Sequence, residues 1–168
     1  MKGISLIVIL GIASIPLRNF IENSFHTRES KGSFYMDSPP SIKMFSSIVE
    51  NAEKYNIPIR YALGIAYVET RYEGPTDWNY NPALTSPAGA LGPMQIMPGT
   101  AKMMWGENIP KKKLKEDIDF NVETSMKLLN KLHKKYKDWK IVFGCYNTGK
   151  PCVNEYAERV YNFKPNSI

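Results

Sequence analysis

Cysteine and histidine are scarce: the 168 residues hold two of each, Cys145 and Cys152, His26 and His133. Neither histidine lies near the cysteines, so the ligand spacing of a zinc site is missing, and no serine or cysteine has the neighbouring histidine that a hydrolytic triad needs. No glycine-rich phosphate loop, base-reading motif or internal repeat is present. The apolar stretch Ile4 to Leu10 falls short of the ~20 residues that span a bilayer as a helix. Acidic residues are also in deficit, 16 Asp and Glu against 22 Lys and Arg. The excess is local, since residues 111–140 hold ten Lys against five Asp and Glu. A lysine run of this kind reads as a solvated helix face or as a surface for an anionic polymer. These absences disfavour metal, phosphate and nucleic-acid chemistry and leave carboxylates as the main chemical resource.

What is present suffices for one proper core. At 43% hydrophobic content, a chain of this length builds one domain and has no room for two full ones. Lys2, the apolar run to Leu10, then Gly11, Ile12 and Ala13 form the pattern of a short secretory leader or weak anchor over 1–17, with a cut after Ala13. Residues 18–40 lack sustained periodicity and end in Ser38, Pro39 and Pro40, the composition of a tether. The folded domain is expected over 41–168. It opens with a helix carrying Ile42, Phe45, Ile48, Val49, Ala52 and Tyr55 inward, with Ser41 or Ser38 as N-cap.

Pro58 is well placed to open a second helix, which should run to the stop at Gly74 and Pro75. Its sequence IRYALGIAYVETRY puts Glu69 one turn beyond Ile65 and Ala66 and two turns beyond Ala62, while Arg60, Gly64, Tyr67 and Arg71 fall on another face. A carboxylate on an apolar stripe has its charged form disfavoured, so it holds a proton near neutral pH and is a candidate general acid. A glutamate paired with a buried arginine would produce the same pattern.

Residues 76–85 lack any period and carry Asp77, Trp78 and Tyr80, as an aromatic loop beside that glutamate would. The following SPAGALGPMQIMPGTA is broken by Gly89, Gly92, Gly99, Pro87, Pro93 and Pro98 yet holds apolar Leu91, Met94, Ile96 and Met97. This describes a buried loop whose backbone can approach a ligand closely, with Gln95 offering a donor and an acceptor. A helix starting at Pro98 or Thr100 should reach Trp105. A long one over 119–136 should bury Val122, Met126, Leu129, Leu132 and Tyr136 and expose its lysines, and two shorter ones are expected over 139–146 and 154–163.

Four of these segments, taken in order, resemble the soluble-type lytic transglycosylases (SLT domain), a family with the goose-type lysozyme-like fold. AYVETRY is similar to the catalytic Glu-Ser signature, with Glu69 at the acid position and Thr70 in place of Ser. NPALTSPAGALGPMQIMPGTA resembles the Gly-Leu-Met-Gln loop, with Pro93 in place of Leu. DFNVETSMKLLNKL resembles the scaffold helix, and FGCYNTGKP with NEYAERVY resembles the Ala-Tyr-Asn-Ala-Gly turn and the last helix. Glu73 to Tyr80 looks inserted relative to the family.

The resemblance implies a mainly α, lysozyme-like single catalytic domain with a substrate cleft. It implies a peptidoglycan lyase that cleaves the MurNAc–GlcNAc β-1,4 bond with Glu69 as acid and then base. Substrate contacts carry over to Thr70, Met94, Gln95, Tyr146, Asn147 and Tyr156. No metal or cofactor is implied. The expected partner is the peptidoglycan glycan strand, and the same domain serves secretion, conjugation and phage assembly machines; no nucleic acid is expected, and the N-terminal segment is expected to contact membrane. The implied location is the periplasm or cell envelope, or alternatively a virion. Two rival readings have the same fold: a lysozyme-type hydrolase using Glu73 or Asp77 as a second carboxylate, and a non-catalytic wall-binding module.

Overall fold

Seven helices and no extended strand make up residues 38–165, the part of the chain that the computed structural model describes. The leader at 1–17 and most of the tether lie outside the described residues. The helices are α1 (Pro40–Lys54), α2 (Ile59–Thr70), α3 (Pro98–Trp105), α4 (Lys111–Glu116), α5 (Ile118–Tyr136), α6 (Trp139–Thr148) and α7 (Glu155–Tyr161). The class is mainly α, as the sequence indicates, and among the described residues no helix is long and apolar enough to cross a membrane.

Helix boundaries follow local chemistry. Asp117, Asp138 and Asn154 accept backbone N–H bonds at the starts of α5, α6 and α7, satisfying donors that a helix leaves open. At the start of α1 the N-cap is Pro39 and makes no side-chain bond. Ser41, expected there as a cap, instead sends its Oγ 3.1 Å to the Pro75 carbonyl and receives the Tyr72 hydroxyl on its own carbonyl at 2.8 Å. The buried face of α1 accordingly runs through Ser41, Met44, Phe45, Ser47, Ile48 and Ala52, with Ile42 only half-buried.

Helix α2 ends at Thr70, earlier than the stop expected at Gly74 and Pro75. Arg71 takes the left-handed conformation at φ 59°, and its N–H closes on the Tyr67 carbonyl. Its middle is buried nearly all round, because Gly64 lies against Val160 and Phe163: a Cβ there would stand 3.0 Å from Phe163 Cβ and 3.1 Å from the Val160 carbonyl oxygen. Gly64 is therefore a packing residue, not part of a solvent face.

Helix α5 is the strut. It packs against α1, α3, α4 and α6, while α7 packs on α2 and α6. Val122, Met126 and Leu129 are fully buried in the common core with Ile48, Ile65 and Phe143. The lysine-rich segment is a helix in its own right, α4, pinned by the fully buried Leu114. Much of the aromatic content is also core: Tyr61 lies 5.0 Å from both Trp139 and Phe143, ring centre to ring centre. Cys145 and Cys152 are both free thiols. Gly144 lets the second of these segments dock, since a Cβ at that position would fall 1.8 Å from the Cys152 carbonyl oxygen.

Candidate active site

Glu69 occupies the last turn of α2, where the buried stripe through Ala62, Ile65 and Ala66 emerges, and it is half-buried rather than enclosed. Burial raises its carboxyl pKa above the ordinary range. Two effects oppose that rise without cancelling it: the Tyr156 hydroxyl, which donates to Oε1 at 2.6 Å, and the positive charge of Arg159 one turn further along α7. The arginine acts at a distance, and among the described residues no arginine forms an ion pair with the carboxylate. Among the described residues no second carboxylate acts on Glu69.

The glycine loop reaches this point through a set of bonds. Leu91 pairs with Ile96 and with Thr85 in two isolated bridges, and the tip between them is a tight turn in which the Gln95 N–H and its Nε2 both donate to the Gly92 carbonyl, at 3.1 and 2.8 Å. Gly92 is obligatory: its φ is +75°, and a Cβ would stand 2.5 Å from Asn121 Nδ2 and 2.6 Å from the Leu114 carbonyl oxygen. Gln95 itself sits at φ +49°, and its amide oxygen is uncommitted.

Asn121, fully buried on α5, ties the loop down. Its Oδ1 accepts the Met94 N–H at 2.8 Å, and its Nδ2 donates to the carbonyls of Leu91 and Leu114 at 2.9 and 2.7 Å.

Helices α6 and α7 complete the site. Tyr146 donates to the Met94 carbonyl at 2.7 Å and lies 2.9 Å from Ser125 Oγ. Its ring is nearly parallel to that of Tyr156, 11° apart with centres 6.5 Å distant. Both phenols are held well above their usual pKa by burial first and by the Glu69 charge second, so they remain proton donors. Asn154 caps α7 through its Oδ1 and donates Nδ2 to Asn147 Oδ1 at 3.1 Å, which braces the end of α6 against the helix that carries Tyr156.

Glu69, Tyr156 and Tyr146 thus lie together, with the Gln95 loop tied to Tyr146 through the Met94 carbonyl and with Asn147 exposed. Two expected substrate contacts do not join them. Thr70 is buried, its hydroxyl 3.2 Å from the Ala66 carbonyl, 3.0 Å from that of Pro93 and 3.0 Å from the Tyr80 hydroxyl. Met94 has no exposed surface, and both its backbone groups are engaged. Thr70 and Met94 are therefore corrected from substrate contacts to bolts between α2, the glycine loop and α5.

Neither candidate second carboxylate reaches Glu69. Glu73 is exposed beyond the helix end and lines a separate pocket of about 210 Å³ with Leu63, Tyr67, Tyr72 and Phe163, a pocket that contains none of the converging residues. Asp77 exerts its charge on Tyr72 and Tyr80 instead. Residue patterns also missed Asn121 and Ser125. The available signal was a run of small polar residues, Asn121, Thr124 and Ser125, on the inward side of an otherwise apolar helix, where a polar group must have a buried partner.

Tyr156→Phe tests the electrostatics. Removing a donor to the ionised carboxylate raises the Glu69 pKa further, so the alkaline limb of the kcat/KM profile, where the acid form is lost, should move to higher pH. The rate below that limb should fall about tenfold as the carboxylate loses its orientation. A pH–rate series on both proteins measures the two effects.

The sequence pattern of the Transglycosylase SLT domain family matches residues 46–168. No curated protein matches significantly. Among solved structures, an inactive mutant of the lytic transglycosylase Slt from Pseudomonas aeruginosa is similar at 22% identity and TM-score 0.50, covering 62% of this chain and 16% of that one. A 70-kDa soluble lytic transglycosylase in complex with bulgecin A is similar at 24% identity and TM-score 0.53, covering 69% and 18%. This chain therefore spans less than a fifth of the length of either protein, and at these identities the likeness is one of fold.

Proposed function

We propose, from the premise that the chain belongs to the Transglycosylase SLT domain family, that it is a lytic transglycosylase of peptidoglycan with Glu69 as its single acid and base. The observation that supports this reading is a half-buried carboxylate of raised pKa that accepts the Tyr156 hydroxyl, with no second carboxylate acting on it among the described residues.

Protonated Glu69 gives its proton to the oxygen of the MurNAc–GlcNAc bond as C1 becomes oxocarbenium-like. The acetamide of the MurNAc unit attacks C1, which removes the need for an enzyme nucleophile. Glu69, now ionised, takes the proton of the C6 hydroxyl. That oxygen displaces the acetamide, leaving a 1,6-anhydro ring and a regenerated acid. Tyr156 steadies the carboxylate in its ionised interval, and burial favours its return to the neutral form, so the group is poised between its two duties.

Gln95, through its uncommitted amide oxygen, and Asn147 hold sugar polar groups in this proposal, and Tyr146 fixes the loop that presents Gln95. Such a substrate would put the enzyme at the cell envelope. Digestion of purified peptidoglycan followed by mass spectrometry tests the reaction type. Products ending in anhydro-MurNAc, lighter by one water than hydrolytic products, are expected; reducing MurNAc ends would make the protein a hydrolase, and undigested wall would make it a binding module.

A further inference from the structure

Three large apolar side chains stand exposed on the stretch that leads through the glycine loop, Trp78, Leu84 and Met97, and Trp78 has 68% of its surface open. The other two tryptophans are packed. Trp105 stacks on Phe120 and donates Nε1 to Thr124 Oγ1, and Trp139 stacks on His133 and Phe143. An indole left in water forgoes the burial that ordinarily stabilises it and leaves its flat face available to a ligand.

The loop that carries Trp78 is firmly anchored. Tyr72 donates to the Ser41 carbonyl, Ser41 to the Pro75 carbonyl, and the Tyr72 and Tyr80 rings pack with centres 4.8 Å apart. Between these anchors, short backbone bonds from Asp77 to Gly74, Trp78 to Thr76 and Tyr80 to Asp77 fold the chain tightly. The backbone on both sides of the exposed indole is thereby tied down before anything binds.

The same anchors tie the loop to the catalytic centre. Tyr80 meets the hydroxyl of Thr70, the residue next to Glu69, and that hydroxyl also touches the Pro93 carbonyl of the glycine loop. Trp78 is two residues from Tyr80, at most about 7 Å along the chain. Through Tyr80 and Thr70 its loop is joined to the glycine loop that carries Gln95. Asn79, exposed, and Asn81, whose Oδ1 accepts the Ala83 N–H, follow it in the chain. An exposed flat aromatic face with two amides close by in the chain suits a pyranose, which offers axial C–H groups on one face and hydroxyl and acetamide groups at its rim.

We propose that Trp78 is a stacking platform for a sugar ring of the glycan strand away from the scissile bond, and so makes this enzyme favour long strands. The proposal rests on the peptidoglycan reading above and concerns the segment Glu73 to Tyr80, where this chain departs from its family's pattern. Trp78→Ala should raise KM on long glycan strands about tenfold, the equivalent of about 1.4 kcal/mol, and leave kcat and the turnover of two-disaccharide fragments unchanged. Trp78→Phe should recover most of the loss.

Equal KM on long strands, or a fall in kcat at every length, would overturn it. Should the wild type cleave nothing, the peptidoglycan-lyase reading fails by itself, and the platform is decided by binding. Long strands should then bind the Trp78→Ala protein about tenfold more weakly than the wild type and shift the wild type's tryptophan fluorescence; equal affinities, or no binding to either, would refute it.

Discussion

Glu69→Gln is expected to reduce peptidoglycan cleavage at least about a thousandfold, since one group serves as acid and then as base and each duty carries a large factor. The fold should survive, because the Gln carbonyl still accepts the Tyr156 hydroxyl that now bonds Oε1. Glycan affinity should persist as well. Stability should change in a defined direction. The folded-state pKa of Glu69 is raised, so the wild type loses stability as pH climbs from the unfolded value through the folded one, and carries the full cost above it. The Gln variant has no such cost, so thermal melting should show it at least as stable as the wild type at neutral pH, with the difference vanishing at acid pH. Activity measured on purified sacculi, beside melting curves at two pH values, checks both halves; substantial retained cleavage would remove Glu69 from the reaction.

Asn121→Leu should be the most damaging of the isosteric substitutions in the core. It strips the Met94 N–H of its partner, together with both donors that hold the Leu91 and Leu114 carbonyls. Leu91 keeps a bond from the Ile96 N–H, but the other two groups are left buried and unpaired. A loss of roughly 3 kcal/mol or more follows, measurable by urea denaturation. The effect is also functional, because Met94 precedes Gln95 and its carbonyl receives Tyr146. In the folded fraction, KM should rise together with the fall in stability. An Asn121→Leu protein with wild-type urea midpoint would mean that the glycine loop stands without its clamp.

Helix placement was legible where periodicity was strong. The inward residues of α5 and the position of Glu69 at the end of a buried stripe both follow from three- and four-residue spacing. Helix ends were less so: Arg71 ends α2 in a left-handed conformation that residue type does not announce, and Lys137 does the same for α5. The lysine run at 111–116 concealed a helix because a single fully buried leucine, Leu114, secures it, too little to make a periodic signal.

Motif position singled out Glu69, Gln95, Tyr146 and Tyr156, but it did not indicate the bonds that hold them. Whether a threonine next to the acid faces sugar or protein depends on Tyr80 and Pro93, ten and 23 residues away along the chain. Met94 was misplaced for the same reason. Its burial is imposed by Asn121, a contact 27 residues long that no local pattern encodes.

Thr70, Pro93 and Tyr80 together form a junction that the family motif alone would not suggest. The threonine hydroxyl links α2 both to Tyr80 and to the Pro93 carbonyl of the glycine loop.

The most direct examination of the Glu69 carboxylate is its carbon-13 NMR titration in the intact protein, assigned by comparison with Glu69→Gln. A midpoint clearly above the ordinary glutamate range, moving higher still in Tyr156→Phe, is the predicted outcome. A midpoint at or below the ordinary value, indifferent to Tyr156, would contradict the assignment of this residue as the proton carrier.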